Sequence, residues 1–404
     1  MFHTVAACTS AAFLLSLYRE KNASRSKLSQ ALRQAAQKDP ETASKGLVTI
    51  SNTLDEEKRM RKGVSVIAVQ NSLGTIVSKL KFVENSENEV AMSALRLVRK
   101  VCAEPEGRHA FYRARGYRAV LQSLSEAHKH GHVRLMEEAA NTLEEITAID
   151  VSQIVLPPDV PFGSEGAAEL AGFSATTKML RTLDPNSRVS YLEPVTRALS
   201  NIAALMKGTK ALQKGTDGQP GVYYFLRLIS HSNESVACNS IRAVRFLSNH
   251  GSSQHEVICE EENVKHIAML LHGSMEVLMN TMKMIHNMIY SPLANKFFTQ
   301  FAAEDGLHHL FRVWTKGNDK VCRDTADALI HMLEKLPATA SAIRKLMDVN
   351  RADIHERRAK DEEMKRRQME AMRNQQMMIR QRMMSEMMGG GGGGDMMDMM
   401  MGDE

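Results

Sequence analysis

A polar turn, then a valine, then a long apolar-striped segment recurs along this chain, and few folds tolerate such a repeat. The starts are Asn88-Glu89-Val90, Gly131-His132-Val133, Ser187-Arg188-Val189, Glu234-Ser235-Val236, Met275-Glu276-Val277 and Asp319-Lys320-Val321, spaced 43, 56, 47, 41 and 44 residues apart. The one long interval contains an insertion, Ile154-Val155-Leu156-Pro157-Pro158-Asp159-Val160-Pro161-Phe162-Gly163. A period of 40–47 residues is the mark of stacked helical units. Within the segments, apolar residues fall at helical spacing: Val189, Leu192, Val195, Leu199 and Ile202 in one, Val321, Ala326, Leu329, Met332 and Leu336 in another. Each stripe predicts one core-facing helix side. A lone unit cannot bury it, so neighbouring units must stack.

Composition supports the all-α reading. Leu, Ala, Met, Glu, Lys and Arg dominate, which lose little entropy in a helix; there are only ten Pro and one Trp. A net charge of +5 over 404 residues, with no interleaving of basic and aromatic residues, argues against nucleic acid as a partner. The five cysteines, Cys8, Cys102, Cys238, Cys259 and Cys322, are far apart with no CxxC, which fits a reducing compartment.

Three long helices carry an Asn in related surroundings: Arg197-Ala198-Leu199-Ser200-Asn201-Ile202, Ala243-Val244-Arg245-Phe246-Leu247-Ser248-Asn249 and Met284-Ile285-His286-Asn287-Met288-Ile289. Here the chain resembles the armadillo family. That resemblance implies an armadillo/HEAT-like α-solenoid whose concave groove holds an extended peptide, with Asn201, Asn249 and Asn287 pairing to the peptide backbone and Glu145 beside them. The Trp that accompanies such Asn residues in nuclear-import receptors is absent, since Trp314 falls on a different helix, which argues against nuclear-signal binding.

The ends differ from the middle. Residues 1–18 contain no Asp, Glu, Lys or Arg, and include Phe2, Val5, Phe13, Leu14, Leu15 and Leu17; Arg19, Lys21, Arg25, Lys27 and Arg33 follow. As a helix this stretch would run about 27 Å, near the bilayer's hydrocarbon thickness. The basic flank would keep the remainder in the cytosol. A signal anchor over 1–20 fits better than a secretory signal, which wants its charge first; a first buried solenoid helix is the alternative. Residues 21–84 read as a basic flank and capping helices interrupted at Gly63 and Gly74, 85–349 as the repeats, 350–388 as one exposed charged helix, and 389–404 as a low-complexity tail. Fourteen of 28 Met residues lie between Met364 and Met401. Such a tail suits apolar segments or has no specific ligand at all.

No Walker loop, GxGxxG, HExxH or GxSxG occurs in a useful context. His128, His130 and His132 lack a carboxylate or Cys at ligand spacing and read as a solvated turn, as does His308-His309. No enzyme, metal or cofactor is expected. Short anchor, basic flank, solenoid and size together resemble the armadillo-bearing receptors of the archaic mitochondrial outer-membrane translocase. That implies a cytosol-facing receptor whose partners are precursor polypeptides, translocase subunits and chaperones. A soluble, cytoplasmic armadillo exchange factor for Hsp70 and a cytoskeletal or axonemal scaffold remain alternatives.

Overall fold

A computed structural model describes residues 27–56, 72–80, 88–148, 170–249 and 252–389. The anchor stretch with Phe2, Val5, Phe13, Leu14, Leu15 and Leu17, the insertion at 154–163, Gly63 and the tail from 390 lie outside these residues. Among the described residues there is no strand; the sole β-type pairing is an isolated bridge between Thr216 and Gln219.

The helices, in order, are α1 (27–36), α2 (Pro40–Glu56), α3 (Ser72–Ser78), α4 (Asn88–Cys102), α5 (Pro105–Arg113), α6 (Gly116–Lys129), α7 (Val133–Thr147), α8 (Phe173–Leu180), α9 (Val189–Ala203), α10 (Met206–Gln213), α11 (Gly221–Leu226), α12 (Glu234–Leu247), α13 (Ser252–Ile258), α14 (Glu261–Met269), α15 (Met275–Ile289), α16 (Ala294–Ala303), α17 (Gly306–Lys316), α18 (Lys320–Leu333), α19 (Ala340–Val349) and α20 (Arg351–Gly389). The six valine-marked segments are the helices α4, α7, α9, α12, α15 and α18. Each packs against the next, with α2 extending the series at the N-terminal end. The shorter helices cover one side of this layer: α6 lies on α7, α11 on α12, and α17 on α18. The solenoid's two layers follow from that arrangement.

Burial follows the apolar stripes, with two corrections. Leu192, Val195, Leu199 and Ile202 of α9 are fully buried, but Val189 that opens the helix is exposed, as are Val133 and Val321. Val133 and Val189 are the first residues of their helices and Val321 the second, so they project past the end of the core, whereas Val90, Val236 and Val277 are each the third. Val90, Val236 and Val277 are buried. Gly74 does not interrupt a helix: it lies inside α3, exposed, with nothing near its missing Cβ.

Recurrent polar details fix how one repeat meets the next. Asn233 accepts from the Val236 amide at 3.0 Å and Asp319 from the Cys322 amide at 2.8 Å, so the polar turn serves as an N-cap in these two repeats. Asn233→Ala is expected to cost about 1 kcal/mol, read as a shift in urea midpoint without a change in slope. At the opposite end, α4 and α9 turn sharply into the short helices α5 and α10. A Cβ on Gly107 would stand 1.8 Å from the Val101 carbonyl oxygen, and one on Gly208 would stand 1.9 Å from that of Ile202. Only glycine lets the backbones approach that closely. Between the long helices, the buried Thr142 hydroxyl donates to the Leu95 carbonyl at 3.3 Å, and the Asn239 amide lies 3.4 Å from the Glu193 carbonyl.

Candidate protein-binding face

Among the described residues, one side of the long-helix layer carries no second layer, and the side chains it presents can be followed helix by helix. They are Arg96 and Arg99 on α4, Arg134, Glu137, Asn141 and Glu144 on α7, Ser190, Glu193 and Arg197 on α9, Ser235, Arg242, Arg245 and Phe246 on α12, and Glu276, Met279, Lys283, His286 and Tyr290 on or beside α15. These recur every three or four residues, as one uncovered helix side requires.

The first half of the face is cross-strapped by its own charges. Arg96 Nε lies 2.7 Å and Arg99 Nη1 3.7 Å from the Glu138 carboxylate, joining α4 to α7. Arg197 on α9 reaches Glu144 on α7 at 2.6 Å and Glu193 on its own helix at 3.2 Å. Ser190 donates to Glu137 at 2.6 Å, with Arg188 4.0 Å away. Glu145 is half-buried in the last turn of α7, 4.0 Å from Arg108 of α5. Burial raises the Glu145 carboxyl above its ordinary range, and Arg108 opposes that shift. Every carboxylate of α7 thus has a cation of this chain beside it.

The three asparagines do not form one row. Asn201 is only 5% exposed. Asn287 donates to the Arg245 carbonyl at 2.9 Å and to the Ser248 hydroxyl at 3.0 Å, so its amide closes the C-terminal end of the preceding long helix. Asn249 is exposed just beyond α12. Asn201 and Asn287 do share a register, each being the thirteenth residue of a fifteen-residue helix, whereas Asn249 lies beyond the end of α12. Residues that keep one offset do share a role. Asn239 and Asn280 both stand three residues after the valine and are both buried at long-helix seams, where Asn280 accepts from Arg245 at 3.0 Å.

The same rule exposes residues that the asparagine motif passed over. Six and nine residues after the valine stand Arg96 and Arg99 on α4, Arg242 and Arg245 on α12, and Lys283 and His286 on α15. Glu138 neutralises the first doublet. For the second and third, no carboxylate among the described residues lies within 4 Å; Glu276 attracts Arg242 from farther off. Burial lowers the affinity of Arg242, Arg245 and Lys283 for their protons, and neighbouring cations lower it further: Arg197 acts on Arg242, Arg242 on Arg245, and Arg245 on Lys283. The Arg245 guanidinium lies over the Phe246 ring at 4.8 Å. His286 and Tyr290 meet edge to face at 5.4 Å, and Tyr290 is 71% exposed.

Among solved structures the chain is similar to an engineered protein from a structural genomics consortium, with 17% identity, a TM-score of 0.50, and coverage of 64% of this chain and 95% of that one. Two further similarities are to computationally designed armadillo repeat proteins for modular peptide recognition (18% identity, TM-score 0.49, 64% and 99% covered) and to a designed armadillo repeat protein in complex with the peptide (KR)4 (16%, 0.48, 64% and 98%). The fold is an all-α solenoid of stacked helical repeats, as the packing of each long helix on the next shows. No protein-family model matches the chain, and no curated protein sequence does.

Other constellations carry less. The cysteines at 102, 238, 259 and 322 are buried thiols, and burial pushes Cys238 up to about 12 and Cys259 to about 11. No group of three or more metal-ligating side chains occurs among the described residues, and none of their helices is long and apolar enough to cross a membrane. His309 is not merely solvated as its sequence suggests. Its Nδ1 lies 2.8 Å from His272 Nε2, which pins α17 to the turn after α14.

Proposed function

We propose that this chain is a non-catalytic receptor that holds other polypeptides along the open face of its long helices, on the cytosolic side of the mitochondrial outer membrane. One observation carries the protein-binding part. Among the described residues, the long helices α4 to α15 carry shorter helices on one side, and the other side presents a strip of polar, charged and aromatic side chains. Such a strip offers repetitive contact area for an extended chain without needing a deep pocket. The membrane part is supported by the charge-free apolar run at 1–18 and its basic flank, which have the length and sidedness of a cytosol-facing anchor. Docking precursor polypeptides for import is the role that unites the two.

A photo-crosslinking residue placed at Arg134 or Tyr290 is expected to capture polypeptides in a mitochondrial extract. The same residue at exposed Arg227, on the covered side, is expected to capture few. Equal or stronger capture at Arg227 would overturn the face assignment. In parallel, the chain should stay with membranes after carbonate extraction and be cleaved by protease added to intact mitochondria. Release by carbonate, or protection from the protease, would refute the localisation.

A further inference from the structure

The open face changes character along its length. Between α4 and α9 its charges cancel within the chain. Between α12 and α15 they cancel only in part: among the described residues no carboxylate lies within 4 Å of Arg242, Arg245 or Lys283 on these adjacent long helices, Glu276 acts on Arg242 from farther off, and Arg245 has only the neutral Asn280 oxygen and the Phe246 ring. Partly desolvated cations held side by side raise each other's energy, and the missing component is a ligand with negative charge. The apolar surface around them is substantial: Phe246 and Met279 are half-buried, and Tyr290, packed on one edge by His286, is exposed.

We infer that the α12–α15 section of this face binds an acidic polypeptide segment, its carboxylates seated on Arg242, Arg245 and Lys283 and its intervening apolar side chains on Phe246, Met279 and Tyr290. Geometry sets the spacing. Packed helices lie about 8–10 Å apart, and an extended chain advances about 3.3 Å per residue, so carboxylates roughly three residues apart meet successive helices. The guanidinium groups suit carboxylates because their paired donors fit both oxygens. A basic segment finds no equivalent site, since Glu137, Glu138, Glu144 and Glu145 are already engaged by arginines of this chain. A single-stranded nucleic acid would ask for more phosphate contacts than three cations over two helices provide.

This deepens the polypeptide-receptor reading and rests on it, so the test separates the two. Fluorescence anisotropy of the full chain is measured with a labelled peptide bearing Asp or Glu at every third position and Leu or Met between. A counterpart with Lys replacing the acids and a single-stranded oligonucleotide are run beside it. The acidic peptide is expected to bind, to weaken roughly tenfold with Lys283→Glu, and to weaken as salt rises. Lys283 is exposed and has no ion-pair partner among the described residues, so its replacement should leave the fold intact; Arg245→Gln provides a second, charge-only change. Tighter binding of the lysine peptide, with hydrogen-exchange protection on α12–α15, would refute the acidic preference while leaving the face reading standing. Tighter binding of the oligonucleotide would refute a peptide ligand. Binding of no peptide at all would overturn both readings.

Discussion

Phe301→Ala is expected to remove about 3–5 kcal/mol of stability and to do so locally, loosening the C-terminal repeats first. Phe297, Phe298 and Phe301 are all fully buried on α16, with ring centroids 5.0, 5.7 and 6.2 Å apart in stacked and edge-to-face pairs. Truncating the third ring leaves a cavity and forfeits two aromatic contacts. The site cannot collapse easily, because the far side of the ring rests on backbone: a Cβ on Gly306 would stand 2.5 Å from it. In a solenoid each repeat touches only its neighbours, so the loss should not spread evenly. Hydrogen exchange is expected to accelerate across α16 to α18 while α4 to α9 keep their protection, and urea denaturation should gain an early phase. A single uniform transition shifted by less than about 1 kcal/mol would contradict both the packing and the one-dimensional picture.

Phe111 and Gly116 repeat this pairing near the other end, where a Cβ on Gly116 would stand 2.1 Å from the Phe111 ring. The spacing of phenylalanine to glycine is the same in Phe111-Tyr112-Arg113-Ala114-Arg115-Gly116 and Phe301-Ala302-Ala303-Glu304-Asp305-Gly306. That signal is legible in the sequence, but at two widely separated places it does not look like a repeat. The valine-led helices are more legible because they recur six times, and each opens a helix at or within one residue of the polar turn. Their exact burial is not legible: Val189 and Val236 hold the same place in the pattern, yet one is exposed and the other buried. What differs is where the helix begins: Val189 is the first residue of α9 and Val236 the third of α12.

The face was harder to read than the fold for a physical reason. An asparagine motif identifies residues by their immediate neighbours, whereas a helix assigns direction by distance from a fixed start. Asn249 shares neighbours with Asn201 and Asn287 but lies beyond the end of its helix. Arg242 and Lys283 share direction but have no local motif in common. The neutralisation of Arg96 by Glu138 and of Arg197 by Glu144 depends on residues 42 and 53 positions away, so it emerges only when the repeats are stacked.

Arg323→Met should release the C-terminal helix from the solenoid, at a cost of about 2–4 kcal/mol. Arg323 is 5% exposed and unusual among buried cations in being held mostly by backbone. Its Nη1 donates to the Gly317 carbonyl at 2.9 Å and to that of Asn318 at 2.8 Å, closing the turn between α17 and α18. Its Nη2 faces Asp361 of α20 at 3.6 Å, a carboxylate shared with Arg357 at 3.4 Å. The rest of the junction is thin. Ile354 is the single buried apolar residue among the described side chains of α20, and a cleft of about 570 Å³ lined by Lys316, Lys320, Arg357 and Lys360 lies where packing would otherwise be. Methionine would keep the volume while stranding two carbonyls and leaving Asp361 to Arg357 alone. Hydrogen exchange over residues 351–361 should then rise toward that of an isolated helix, and trypsin should cleave at Arg357 and Arg358. Salt separates the contributions. The Lys316–Asp353 pair, at 3.3 Å and well exposed, should be screened away at 1 M, where the Debye length is about 3 Å; Arg323, out of reach of solvent, should not. The wild-type helix is therefore expected to stay docked at high salt and the Arg323 variant to be loose at any salt. Unchanged protection of residues 351–361 in the variant would mean that Ile354 and the exposed pairs suffice to hold the helix.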